Sequence, residues 1–223
     1  MRGALARKAL FKYAAGLLAV GLLIFLPAGT LRFPRGWLFL SVLFLPMLVM
    51  GLVMLKKAPD LLKRRLDGKE EEQTQRLVVA LSALMFLAGF VLCGLDFRFD
   101  LTQLPHPVSW AAAAVFLIGY AMYGEVMREN SYLSRTVKVE AEQTVIDTGL
   151  YGVIRHPMYT ATVLMFVMIP LILGSLAALP VFLVYPVLIV RRIGNEEKVL
   201  KAELDGYADY CTRVKYRLLP HIW

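Results

Sequence analysis

Apolar residues along this chain do not alternate with polar ones; they come in blocks. Runs over residues 10–28, 37–55, 77–95 and 108–127 are each close to the ~20 residues a helix needs to cross a ~30 Å hydrocarbon core. Two further runs, 159–173 and 176–190, are split by Gly174-Ser175 and read as a hairpin. Its first arm is short enough to be a tilted span or half of a turn inside the bilayer. The pattern predicts an all-α integral membrane fold of about six apolar helical segments, the last two forming the hairpin. A soluble helical core is excluded, because its helices would carry polar faces and these do not. Arg2, Arg7 and Lys8 ahead of the first run imitate a secretory signal. That run is long, has no small-x-small cleavage site and precedes another span, so it is expected to be a retained first helix.

Composition agrees: 58% of the 223 residues are hydrophobic and the mean hydropathy is +0.60, against about 45–50% apolar in soluble domains. Charge adds orientation. Every Lys and Arg except Arg32, Arg35 and Arg98 falls in the N-terminal turns, the 56–76 loop, the 128–155 segment or the 191–217 tail. Alternate loops with this asymmetry place both termini in the cytoplasm of a multi-pass protein, in a bacterial inner membrane or the ER membrane. The net charge of +8 is then juxtamembrane and suits contact with membrane lipids rather than nucleic acid. Oligomeric state is not legible.

Between the spans, the 56–76 loop places Leu61, Leu62 and Leu66 as one face of a short amphipathic helix on the leaflet, with Glu70, Glu71 and Glu72 reaching into water. The outer loop over 97–109 is expected to hold Asp96, Asp100 and His106 with Pro105 and Pro107, and reads as a plain surface loop, since no ligand spacing supports a metal. Cys93 and Cys211 fall in a span and in the tail and are expected neither to pair nor to bind metal. No repeat, Rossmann glycine fingerprint, P-loop, G-x-S-x-G elbow or H-E-x-x-H helix is present. One membrane domain, 1–223, is expected, with a four-helix scaffold over 1–127 and the chemistry over 128–223.

That chemistry begins after the fourth span. Residues 136–140 (TVKVE) alternate like a short extended segment, and Asp147-Thr148-Gly149 reads as a turn. Then comes Gly149-Leu150-Tyr151-Gly152-Val153-Ile154-Arg155-His156-Pro157-Met158-Tyr159. Pro157 fits the first turn of the next helix, which leaves Arg155 and His156 at a helix start able to receive a carboxylate. After Arg191 and Arg192 follow Gly194-Asn195-Glu196-Glu197. Leu200, Leu204, Tyr207, Cys211 and Val214 recur at helical spacing, predicting one amphipathic helix that closes over the site. Plainer readings stand beside these. Arg155 can mark the end of a span, His156 a helix start, Glu196-Glu197 a solvated face, and Tyr207 and Tyr210 interfacial packing. Glu125, near the end of the fourth span, pairs with Arg128 or serves the substrate side.

RHPMY, an apolar hairpin, Glu-Glu and a downstream Tyr-x-x-Tyr ending near Leu-Pro resemble the C-terminal signature of isoprenylcysteine carboxyl methyltransferases, a version of which is shared by phospholipid N-methyltransferases. The resemblance covers about residues 149–220. It implies S-adenosylmethionine as methyl donor, bound between the hairpin and the C-terminal helix, with Tyr151, Arg155, His156, Tyr159, Glu196 and Glu197 at the cofactor. It implies a lipophilic or prenylated acceptor, by default an isoprenylcysteine carboxylate. Arg155 and Glu125 are the only candidates for a catalytic role. Ala161 and Leu204 stand where the family commonly has glycine, with Gly206 displaced. Alternatives left open are phospholipid, amine or thiol methylation, a membrane reductase using a nicotinamide cofactor, and a non-enzymatic scaffold or lipid-binding protein.

Overall fold

The computed structural model describes residues 2–66, 73–133, 139 and 143–223. The Glu70–Glu72 run and, apart from Val139, the 136–140 segment lie outside these described residues. Among them the chain is all helical. The apolar blocks become α1 (Arg2–Ala28), α2 (Pro34–Lys57), α4 (Gln73–Phe99) and α5 (His106–Glu129), with the short α3 (Pro59–Leu66) between α2 and α4. The hairpin is α6 (Pro157–Leu173), α7 (Leu179–Phe182) and α8 (Val184–Glu203), and α9 (Tyr207–Arg213) follows. α1, α2, α4 and α5 are long and apolar enough to cross a membrane; α6 is shorter, at 17 residues. Large residues such as Leu18, Leu45, Leu84 and Val187 point outward, as lipid-facing positions do.

Because lipid is as apolar as leucine, helices in a bilayer are held by close packing rather than by exclusion from water. Small residues bring the backbones together here. A Cβ at Gly94 of α4 would lie 2.5 Å from the Ile24 carbonyl of α1, and one at Gly119 of α5 would lie 3.1 Å from the Ala161 carbonyl of α6. The expected glycine at 161 is therefore matched by one on the facing helix. An aromatic core fills the centre, with Phe39 against Phe90 at 5.6 Å and Phe86 edge-on to Phe166 at 4.8 Å.

Two expectations need correcting. Asp96 is not part of a surface loop; it sits in the last turn of α4 with no exposed area. It accepts from the Thr102 amide (2.8 Å), the Thr102 hydroxyl (2.6 Å) and the Ser175 hydroxyl. Arg35 is buried beside it, donating to Gln103 Oε1 (2.8 Å) and to the Leu104 carbonyl. This polar cluster ties the Gly174–Ser175 turn to the ends of α2 and α4, so α6 reaches the far end of the bundle. The buried carboxylate persists at that depth because both of its oxygens are hydrogen-bonded, whereas the Arg35 guanidinium is bonded through Nη1 and Nη2 and its Nε has no partner among the described residues. Secondly, the tail is not one amphipathic helix. α8 ends at Glu203, Gly206 takes a left-handed conformation (φ 79°), and α9 starts afresh. Leu204, Tyr207, Tyr210 and Val214 still share one buried cluster, because the break folds α9 back onto the same apolar surface.

α3 forms where the Leu61, Leu62 and Leu66 spacing places it. Its leucines pack against Met54, Val126, Met127 and Tyr151, so protein, as well as any leaflet, receives that face.

Candidate functional site

A 3-10 turn, Gly149–Gly152, leads into the extended pair Arg155-His156, and Pro157 opens α6. The extended pair is fixed by the tail: the Arg155 amide donates to the Tyr216 carbonyl and the His156 amide to the Arg217 carbonyl, both at 2.9 Å. Thr160 adds a bond to the Leu218 carbonyl (2.8 Å). The tail therefore lies across the start of α6 like an added strand, and α8 brings its two glutamates to the same place.

Glu197 is the centre of this junction. It is 3% exposed and lies past the apolar stretch of α8. Arg155 Nε donates to its Oε1 (2.9 Å), His156 Nε2 lies 3.2 Å from that oxygen, and Arg217 Nε and Nη2 donate to Oε2 (3.1 and 3.0 Å). Arg155 Nη1 is spent on the Val214 and Lys215 carbonyls. Burial alone would raise the Glu197 carboxyl, but hydrogen bonds from His156, Arg217 and Arg155 outweigh it and hold the group well below the usual carboxylate range. With both oxygens engaged, Glu197 joins α8, α6 and the tail.

Glu196, one residue earlier, faces an open cleft. Tyr159 donates to Glu196 Oε2 (2.5 Å) and accepts from Arg192 Nε (2.8 Å). Arg192 also stands over the Tyr159 ring at 5.9 Å, and the His156 ring stacks on Tyr159 at 5.7 Å. Val145, Leu200, Leu204, Tyr207 and Tyr210 supply an apolar wall. Tyr151 lines the cleft too; its hydroxyl accepts from Asn130 (3.0 Å), and burial pushes it up to about 12. The Tyr207 hydroxyl and Asn195 Nδ2 are buried without a hydrogen-bond partner among the described residues.

The structure thus gathers Tyr151, Arg155, His156, Tyr159 and Glu196 on the cleft and places Glu197 behind it. Glu125 is elsewhere: it forms an exposed pair with Arg128 (2.6 Å) and does not line the cleft. Sequence reasoning passed over Arg192 and Arg217 as site residues. Arg192 was legible as the residue one helical turn before Glu196. Arg217 carried no spacing signal, since it meets Glu197 only through the fold of the tail. Among the described residues no group of three His, Cys, Asp or Glu could hold a metal ion, and Cys93 and Cys211 are free thiols.

The residues present fit S-adenosylmethionine in kind: a carboxylate oxygen and phenols on the cleft, guanidinium and imidazole donors beside them, and apolar wall for a nucleoside.

Residues 112–202 match the model of the Isoprenylcysteine carboxyl methyltransferase (ICMT) family. The match takes in most of α5, α6 and the glutamates of α8, and stops before the tail that crosses the site. The bundle is similar to a solved structure of the eukaryotic intramembrane Ras methyltransferase ICMT, with a TM-score of 0.58 and 20% identity, covering 96% of this chain and 77% of that one. The mouse (Mus musculus) Delta(14)-sterol reductase TM7SF2 is 28% identical over 91 residues, 40% of this chain. The chain covers 22% of the length of that curated relative. Over residues 112–202, then, the chain is similar to the ICMT family, and its helical bundle shares the fold of the solved ICMT structure.

Proposed function

We propose that this chain is a membrane-embedded methyltransferase that takes a methyl group from S-adenosylmethionine and passes it to a lipophilic acceptor, by family default an isoprenylcysteine carboxylate. The observation that carries the reading is the grouping of Tyr159, Arg192 and Glu196 on one wall of an open cleft, at the end of an apolar bundle and within the family match. When bound, S-adenosylmethionine supplies an electrophilic methyl on a positively charged sulfur. Glu196 offers its second oxygen to an ammonium or a ribose diol. Arg155 and His156 are positioned by Glu197, and present their remaining edges to the cleft for a carboxylate. The Tyr159 ring adds an electron-rich face near any cation. A carboxylate acceptor needs no base, being already ionised, so the remaining work is to orient it and exclude water.

Calorimetry of the detergent-purified protein tests this. S-adenosylmethionine and its demethylated product S-adenosylhomocysteine are expected to bind at micromolar concentration, with affinity falling about tenfold or more in Glu196→Gln, the loss of a hydrogen bond to a charged group. Absence of binding by folded wild-type protein overturns the reading. A second reading, a membrane reductase, is favoured by the similarity to the mouse sterol reductase. Binding of NADPH in place of S-adenosylhomocysteine would establish it.

A further inference from the structure

Tyr207 and Tyr210 stand one turn apart on α9, both deeply buried, at 4% and 2% exposure, with ring centres 5.6 Å apart. Their hydroxyls fare differently. Tyr210 donates to the Tyr151 carbonyl at 2.7 Å. The Tyr207 hydroxyl has no partner among the described residues, although its ring lines the cleft. Folded proteins leave few buried hydroxyls unpaired, and those they leave need an explanation. Neither the apolar cluster around Tyr207 nor the junction behind it supplies one.

We propose that the Tyr207 hydroxyl is a ligand contact, donating a hydrogen bond to a ring nitrogen of a purine held between α8 and α9. The proposal rests on the methyltransferase reading above and assigns the two ends of the cleft. Leu200, Leu204 and Val145 flank Tyr207 and form apolar walls suited to a flat heterocycle. The charged groups Glu196 and Arg192 cluster instead around Tyr159, suited to the amino-acid end of the same cofactor. Gly206, in its left-handed conformation, makes the turn from which Tyr207 points inward. Burial, reinforced by the charge of Glu197, pushes the phenol up, so at neutral pH the hydroxyl keeps its proton and donates.

The experiment is calorimetry of the full-length detergent-purified protein with S-adenosylhomocysteine and with adenosine, alongside thermal melting without ligand. In Tyr207→Phe the dissociation constants for both compounds are expected to rise about three- to tenfold, the range of one neutral hydrogen bond. Ligand-free melting is expected to stay level or rise, since an unpaired buried hydroxyl has been removed. Tyr210→Phe, which strips a made bond, is expected to lower melting. Tyr207→Phe affinity within about twofold of wild type overturns the proposal, as does ligand-free melting lowered as far as in Tyr210→Phe. Weakening for S-adenosylhomocysteine but not for adenosine overturns the purine assignment. Failure of the wild type to bind overturns the methyltransferase reading and this inference with it, whereas failure confined to the substitution overturns this inference alone.

Discussion

Glu196 and Glu197 are neighbours on α8 and therefore point about 100° apart around the helix. That angle separates two tasks. Glu197 turns inward to two arginines and a histidine, and Glu196 turns to the cleft and Tyr159. Removing the charge at 197 leaves Arg155 buried without its counter-charge, which costs about 3–5 kcal/mol by comparison with other broken buried pairs. Glu197→Gln is therefore expected to lower the melting temperature sharply, whereas Glu196→Gln changes it little and weakens S-adenosylhomocysteine binding. Melting and calorimetry on both variants check this, and the reverse order would refute the division. The acid limb follows from the same geometry. Glu197 titrates below its ordinary 4.5 in the folded protein, so its stabilisation is complete above about pH 4.5 and drains away as pH falls through the lowered value. Wild-type melting should be flat in this respect from neutral pH down to about 5 and decline below, with a shallower decline in Glu197→Gln.

At the scale of elements, what the chain displays openly is periodicity and punctuation. The four long helices, α3 and the start of α6 at Pro157 fall where apolar runs, the Leu61–Leu62–Leu66 spacing and the proline place them, because each is set by residues close in sequence. The break of the tail at Gly206 was hidden, since Leu204, Tyr207 and Val214 satisfy a helical period whether or not the helix is continuous. Burial of Asp96 was hidden for a different reason: its partner Ser175 is remote in the sequence, and alone an aspartate at the end of an apolar run reads as surface. The site shows the same limit. The adjacent Glu196 and Glu197 were legible as a pair, but not which one faces the cleft. The polar cluster at the far end makes a prediction at this scale. Gly174 caps α6 with φ 78°, and a Cβ there would collide with the Arg35 guanidinium. Gly174→Ala is expected to cost about 1–2 kcal/mol for the left-handed residue, plus the displacement of Arg35. Melting should fall with unchanged S-adenosylhomocysteine affinity, because the cleft is at the opposite end; a loss of affinity at full stability would show that the two ends are coupled.

For the molecule as a whole, the bundle gathers its basic segments at one end. Lys12 of α1 donates to the Leu66 carbonyl of α3, Arg64 of α3 donates to the Ser131 carbonyl after α5 (3.2 Å), and the tail binds the start of α6. The cleft opens among these segments. The opposite end holds the turns at 29–33, 100–105 and 174–178, where among the described residues Arg32, Arg35 and Arg98 are the only Lys or Arg in or next to these turns. Since Lys and Arg are retained on the cytoplasmic side of a membrane, the basic end and the cleft are expected to face the cytoplasm, where a soluble cofactor is available. Single cysteines at exposed positions test this: Lys63→Cys and Lys198→Cys at the basic end, Leu31→Cys and Asp100→Cys at the other. Each is made with Cys211 replaced by serine, which leaves the introduced cysteine and the fully buried Cys93. In sealed right-side-out vesicles a membrane-impermeant maleimide should label only positions 31 and 100, and in inside-out vesicles only 63 and 198. The inverse pattern would place the cleft outside and separate it from a cytoplasmic methyl donor. Labelling of 63 and 198 from different sides would mean that the hairpin does not return, and the arrangement of α6 to α8 as a pair of crossings would fall with it.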